Sequence, residues 1–153
     1  MTIPVSTVPA VKAYLVTQLT ATLTAATGKQ LGVFYDEPGP FQPDDVVSVG
    51  DVTSFVSAPG AMVGGGGAGW IEERYTLEVV IDVFRGGDQA QTAYERAWAL
   101  LAGVCSLVRT DPSLGSRVVE ARPGQVTTTS EWDADHKGRH VRLSLGVDVG
   151  AWT

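Results

Sequence analysis

The sequence predicts an α+β fold, a mainly antiparallel β-sheet with two helices packed on one face, and three observations carry that prediction. Two segments place apolar residues at helical three-and-four spacing, and several others alternate apolar and polar residues with period two. The segments follow one another as helix, strands, helix, strands. Two helices on one face of a sheet is the simplest packing that buries both helical stripes and every alternating face. With 153 residues, no internal repeat and no interdomain linker, the chain is expected to form one domain over residues 1–153.

The first helix is expected over residues 7–27, where Val8, Val11, Tyr14, Leu15, Leu19, Leu23 and Ala26 share a face. Ser6 or Thr7 can cap its start, Pro9 is tolerated in the first turn, and Gly28 is placed to end it. Its threonines lower intrinsic propensity, so docking on the sheet must supply most of its stability. "LGVFYD" (31–36) reads as a strand, broken by "DEPGPFQP", and β character resumes in "DDVVSVGDVTSFV".

Residues 54–70, "SFVSAPGAMVGGGGAGW", carry no charge and contain four consecutive glycines, so they read as a flexible glycine-rich loop. The strand that follows, "WIEERYTLEVVIDVFRG", sets Ile71, Tyr75, Leu77, Val79, Ile81 and Val83 on one face. Glu72, Arg74, Thr76, Glu78 and Asp82 lie on the other. About fifteen residues at ~3.3 Å each extend roughly 50 Å, longer than a domain of this size needs. The first half of the strand, with the glycine-rich loop, is therefore expected to project as a long β-hairpin.

The second helix follows in "GGDQAQTAYERAWALLAGVCSLVRTDPSLG", with a stripe of Ala90, Ala93, Tyr94, Ala97, Leu100, Leu101, Val104, Leu107 and Val108. Asp88 and Gln91 have capping-box spacing, Arg109 suits the C-terminal dipole, and Asp111-Pro112 stops the helix. Gly103 inside the stripe implies close approach of another element. The last third returns to strands: "SRVVEAR", then "QVTTTSEWD", a polar turn "ADHKG", and "RHVRLSLGVDVGAW". In the last of these Val141, Leu143, Leu145, Val147 and Val149 alternate with His140, Arg142, Ser144, Gly146 and Asp148.

The composition, 44% hydrophobic and 18% charged, is that of a globular chain with a real core. No apolar run approaches a membrane span, and "MTIPVSTVPAVK" lacks the basic start and apolar stretch of a signal peptide, so the product is expected in the cytoplasm when made. The single Cys105 sits among apolar neighbours and reads as a buried structural thiol. The net charge of −6 is concentrated: between Lys29 and Arg74 there is no basic residue, while Asp36, Glu37, Asp44, Asp45, Asp51, Glu72 and Glu73 are acidic. Such a segment does not make a phosphate-binding groove. It makes either a solvated face that aids solubility or a functional acidic surface.

No catalytic motif stands out. The glycine run has no following Lys-Ser/Thr pair and leads into a strand, so it lacks the helix N-terminus that holds phosphate. Asp133, Asp135, His136 and His140 are better read as a polar hairpin turn than as a metal set. Neither histidine forms a pattern with Ser or Cys, and adjacent carboxylates such as Glu72-Glu73 or Asp44-Asp45 point to opposite faces of a strand. No enzyme activity, metal or cofactor is predicted. Trp70 and Trp98 fit either packing or an interface, with Trp70 at the base of the glycine loop as an anchor.

Three segments together resemble the tail terminator (minor tail, or tail-completion) proteins of long-tailed phages. They are "VPAVKAYLVTQLTATL" with the short strand "GVFYDE", "RYTLEVVIDVFRGG" running into "DQAQTAYERAWALLAGV", and the closing "RHVRLSLGVDVG". The resemblance implies a homo-oligomeric ring, commonly a hexamer, that sits on the last ring of the tail tube, stops tube growth and offers a surface to the head-tail connector. The implied partners are other copies of the chain, the tail tube protein and the neck protein. DNA would pass through the lumen without specific binding, and the implied location is the head-proximal end of the virion tail. On that reading Met62, Val63, Gly64, Gly65, Gly66, Gly67, Trp70 and Trp98 are candidates for the assembly interface. Asp44, Asp45 and Asp51 are candidates for an acidic lumen, where like charge lets DNA slide. A head-completion protein, a tail-tube subunit and a small-molecule-binding enzyme are the competing readings.

Overall fold

The computed structural model describes residues 6–40, 42–59 and 71–153. Its elements run α1 (Val8–Thr22), β1 (Leu31–Tyr35), β2 (Asp45–Pro59), β3 (Ile71–Gly86), α2 (Ala90–Thr110), β4 (Glu120–Trp132) and β5 (Gly138–Trp152). The strands make one five-stranded sheet in the order β1-β2-β3-β5-β4. β1 and β2 are parallel and every other neighbouring pair is antiparallel. The expected α+β class is the one observed.

Period-two alternation decides which residues meet the helices. Tyr75, Leu77, Val79, Ile81 and Val83 of β3 align with Val149, Val147, Leu145, Leu143 and Val141 of β5, and all ten are buried. Val47 and Val49 of β2 continue this row. Against it pack Val11, Leu15 and Leu19 of α1 and Ala93, Ala97, Leu100, Leu101, Val104 and Val108 of α2. α1 lies over β1 and β2, and α2 over β3, β5 and β4. Each fully buried Leu or Ile contributes roughly 1.5–3 kcal/mol, so this single layer holds the domain together.

Five local expectations are corrected. α1 ends at Thr22 rather than near Gly28, with Leu23 already extended. Thr20 and Thr22 turn their hydroxyls back onto the carbonyls of Val16 and Gln18, a local bond that competes with helix continuation. α2 begins at Ala90 with no side-chain cap. Gly87, at φ +72°, turns the chain so that Asp88 meets Arg139 of β5 instead of capping the helix.

Two more concern the long hairpin, and a fifth concerns β4. Ser54–Pro59 belong to β2, paired with β3 as far as Pro59 opposite Ile71, and so are not loop. Residues 60–70 lie outside the described residues. The first half of β3 stays in the sheet, because β5 is equally long and flanks it from Glu72 opposite Trp152 onward. β4 is one strand with an irregularity between Pro123 and Val126, where the sequence suggests two.

Candidate functional site

The face of the sheet turned away from the helices is polar and acidic. On β3, β5 and β4 its rows carry Glu72, Glu78, Asp82, Asp148, Glu120 and Glu131 against Arg74, Arg142 and Arg122. Cross-strand bonds knit it: Thr76 Oγ1 donates to Asp148 Oδ1 at 2.8 Å, and Ser144 Oγ to Glu78 Oε1 at 2.8 Å. His140 Nδ1 lies 3.1 Å from Asp82 Oδ1. The connection from β1 to β2 borders the same face. Its Glu37, Pro38 and Gln42 line a hollow with Val46, Ser48 and Val80, which accounts for the burial of those three. A concavity of about 380 Å³ on this face is shallow and bounded by Arg74, Thr76, Glu120, Arg122 and Asp148. Carboxylates and guanidiniums alternate around it, so it offers no uniform field for a small charged ligand.

Of the acidic lumen candidates, Asp51 is exposed beside Glu78 and Arg142, and Asp44 is half-buried beside Asp82 and His140. Both border the acidic face. Asp45 does not, and that expectation is corrected. It is fully buried on the helix side, where its carboxylate accepts Arg85 Nη1 at 2.6 Å and Arg96 Nε at 2.9 Å. The alternation that separates it from Asp44 places it in the row that carries Val83 and, one step on, Arg85. Arg96 also donates from Nη2 to the Thr24 carbonyl at 2.6 Å, so this buried group joins β2, β3, α2 and the segment after α1.

Glu73 departs from an exposed acidic face in the same way. It is 1% exposed, on the helix side of β3, and accepts the Thr7 backbone N–H at 2.7 Å and the Thr7 hydroxyl. Its charge therefore sits at the positive end of α1. Tyr75 Oη, 2.9 Å from Thr7 Oγ1, completes this clasp. Burial pushes the Tyr75 phenol up to about 12. The sequence does hold the signal for both residues, since Glu73 and Arg85 share the odd-numbered apolar row of β3. Both are bracketed by partners that only the fold supplies.

Of the interface candidates, Met62, Val63, Gly64, Gly65, Gly66, Gly67 and Trp70 lie outside the described residues. Trp98 is described. It is 40% exposed on α2, one turn from Tyr94, with ring centroids 6.3 Å apart. Tyr94 Oη reaches to 3.4 Å from Thr128 Oγ1 of β4, so the aromatic pair forms a ledge beside the sheet's β4 edge. Sequence reasoning missed a second exposed aromatic, Phe55 of β2, at 48% exposure and stacked at 6.0 Å on Tyr75. Its placement in a loop hid it. Cys105 is half-buried against the core, and burial pushes its thiol up. Asp133, Asp135, His136 and His140 are not brought together as a metal set; among the described residues no cluster of three such ligands occurs. Nor is any described helix long and apolar enough to cross a membrane.

The geometry thus defines an α+β domain with one acidic open face, two sheet edges and scattered exposed aromatics. No protein family matches the chain, and no curated protein matches it either.

Proposed function

We propose that this chain is a structural protein of a phage tail that forms a ring at the head-proximal end of the tail tube, ends tube growth and presents a surface for head joining. The observation that carries the reading is the placement of the three resemblance segments. They fall on α1 with β1, on β3 running into α2, and on β5, the elements that build the core and the central strands. The acidic open face supports it further. Six carboxylates against three guanidiniums on β3, β5 and β4, bordered by Asp44 and Asp51, suit a lumen through which DNA slides without being held. In such a ring the helices lie outward and the open face inward.

The test is deletion of the gene from its source genome, where that genome is viral, with electron microscopy of the lysate. Overlong, headless tubes are the expected outcome. Tails of normal length beside detached heads would move the protein to the neck and overturn the terminator reading.

A further inference from the structure

Two sheet edges are open among the described residues, and they differ. β1 covers β2 only from Asp45 to Val49, so β2 beyond that point, Val52–Ala58, has β3 on one side and no strand on the other. At the far end of the sheet, β4 pairs with β5 alone. Exposed edges are ordinarily blunted by charge, proline or irregularity. The β4 edge is guarded in this way at Pro123, where the pairing with β5 is irregular, but Val126–Trp132, "VTTTSEW", has no such guard apart from Glu131. Val52–Ala58, "VTSFVSA", has no charge and no proline, its pairing with β3 is irregular only at its start, between Val52 and Ser54, and it carries Phe55 and Val56 at 48% and 61% exposure.

We propose that these two edges pair between successive copies of the chain, the Val52–Ala58 edge of one copy adding to the Val126–Trp132 edge of the next. This rests on the ring reading only in taking a second copy as the occupant, and four observations favour that occupant. Their pairing buries no like charges, since the incoming strand has none. β3 and β5 lie between β2 and β4 in the strand order, so the two segments cannot meet within one molecule. Three successive antiparallel pairings run from β2 to β4, so the two strands point in opposite directions. Copies repeated with the same face inward therefore meet edge to edge in antiparallel fashion. Finally, Phe55 is on the helix side opposite Tyr75, and Thr128, beside the Tyr94–Trp98 ledge, is on the helix side opposite Leu143. Pairing the edges brings the exposed Phe55 ring onto the exposed ledge.

The register implies how such copies are set. Phe55 is level with Tyr75, and Thr128 with Leu143 and hence with Ile81 of β3. With Phe55 of one copy set opposite Thr128 of the next, the copies are offset by about six residues, or ~20 Å along the strands. Across the four strands β2, β3, β5 and β4, about 19 Å wide, that offset tilts the strands by roughly 45°, close to the tilt that closes a sheet on itself. The contact is heterologous, the kind that closes into a ring when its rotation permits.

The experiment uses the full-length chain with Cys105→Ser, carrying either Val56→Cys or Thr129→Cys, two exposed positions on the open-face side. A short thiol-to-thiol crosslinker is added to each variant alone and to an equimolar mixture at high concentration. The mixture is expected to yield linked dimers and each variant alone only monomer, with Thr20→Cys on α1 replacing Val56→Cys as the collision control. Phe55→Lys and Trp98→Lys are each expected to weaken self-association about tenfold or more in sedimentation, with unchanged circular dichroism. Absence of mixed dimers above the control overturns the proposal, as does a single variant linking to itself, which would mean a symmetric contact. These outcomes are independent of the lysate images. Edge pairing can fail in a true terminator, and it can hold in a protein that occupies another place.

Discussion

At the residue scale the decisive group is Asp45. One carboxylate with no exposure is shared by Arg85, 4% exposed, and Arg96, and each guanidinium brings a different element to it. Deleting one partner of a buried ion pair leaves the other charge uncompensated, which typically destabilises by about 3–5 kcal/mol. Asp45→Ala is expected to lose stability of that order in urea denaturation, whereas the exposed Asp51→Ala stays within about 0.5 kcal/mol of the parent. An Asp45→Ala loss no larger than that of Asp51→Ala would remove the cluster from the account of what holds β2 to α2. The two residues look alike in sequence, as acids in one basic-free segment. What separates them is the face each occupies, which depends on a strand register that composition does not reveal.

At the element scale two glycines sit in tight places of different kinds. A Cβ on Gly103 of α2 would meet only Leu23 Cδ2, at 2.6 Å, the far end of a side chain beyond the end of α1. A Cβ on Gly138, at the start of β5, would meet the Arg85 backbone carbonyl at 2.5 Å and the Phe84 ring. Leu23 can turn aside while the helix gains about 1 kcal/mol of propensity, so Gly103→Ala is expected within about 1 kcal/mol of the parent. Gly138→Ala cannot be relieved without moving a ladder strand and is expected to lose about 1–3 kcal/mol. Thermal or chemical denaturation of the pair checks this, and equal effects would contradict it. Much at this scale was legible in sequence. The stripe of α2, its stop at Asp111, the alternation of β5 and the close approach at Gly103 all follow from residue spacing. The end of α1 and the length of β2 were not. Helix-ending hydroxyl bonds and a hairpin extended through Ser, Ala and Pro leave no periodic trace, and the same gap hid Phe55 from the candidate site. The open acidic face was half legible, since alternation shows which residues avoid the core but not which strands stand side by side.

At the scale of the whole molecule, two hydrogen-bonded groups tie α1 to the rest and make stability depend on pH. The Asp111 carboxylate accepts Ser113 Oγ, the Gly115 N–H and Tyr14 Oη of α1, and these bonds hold it below its ordinary value of 3.8. A depressed carboxylate adds stability above its unfolded value and loses it as pH falls through the folded one, so this contribution fades below about pH 3.8. Tyr75, pushed from 10.0 up to about 12 mainly by burial, adds stability that is whole below pH 10 and is lost progressively as pH rises to about 12. The melting temperature is therefore expected to fall at both ends, with the Cys105 thiol, also pushed up by burial, adding to the alkaline fall from its ordinary value of 9.0. Asp111→Asn should flatten the acid limb alone, and an acid limb unchanged by that substitution would discount the bond set. The position of β5 has a further consequence, for the time at which the sheet is finished. β5 follows β4 in the chain, yet it inserts between β3 and β4 and pairs residues as distant as Glu72 and Trp152. Contacts so far apart in sequence form slowly, on the millisecond-to-second scale of non-local β topologies. During synthesis β2 and β3 stand with a bare inner edge until the fifteen residues of β5 arrive. A nascent chain thus risks pairing with a neighbour through the wrong strand, and slow release or a chaperone at that stage would govern the yield of correctly folded subunits.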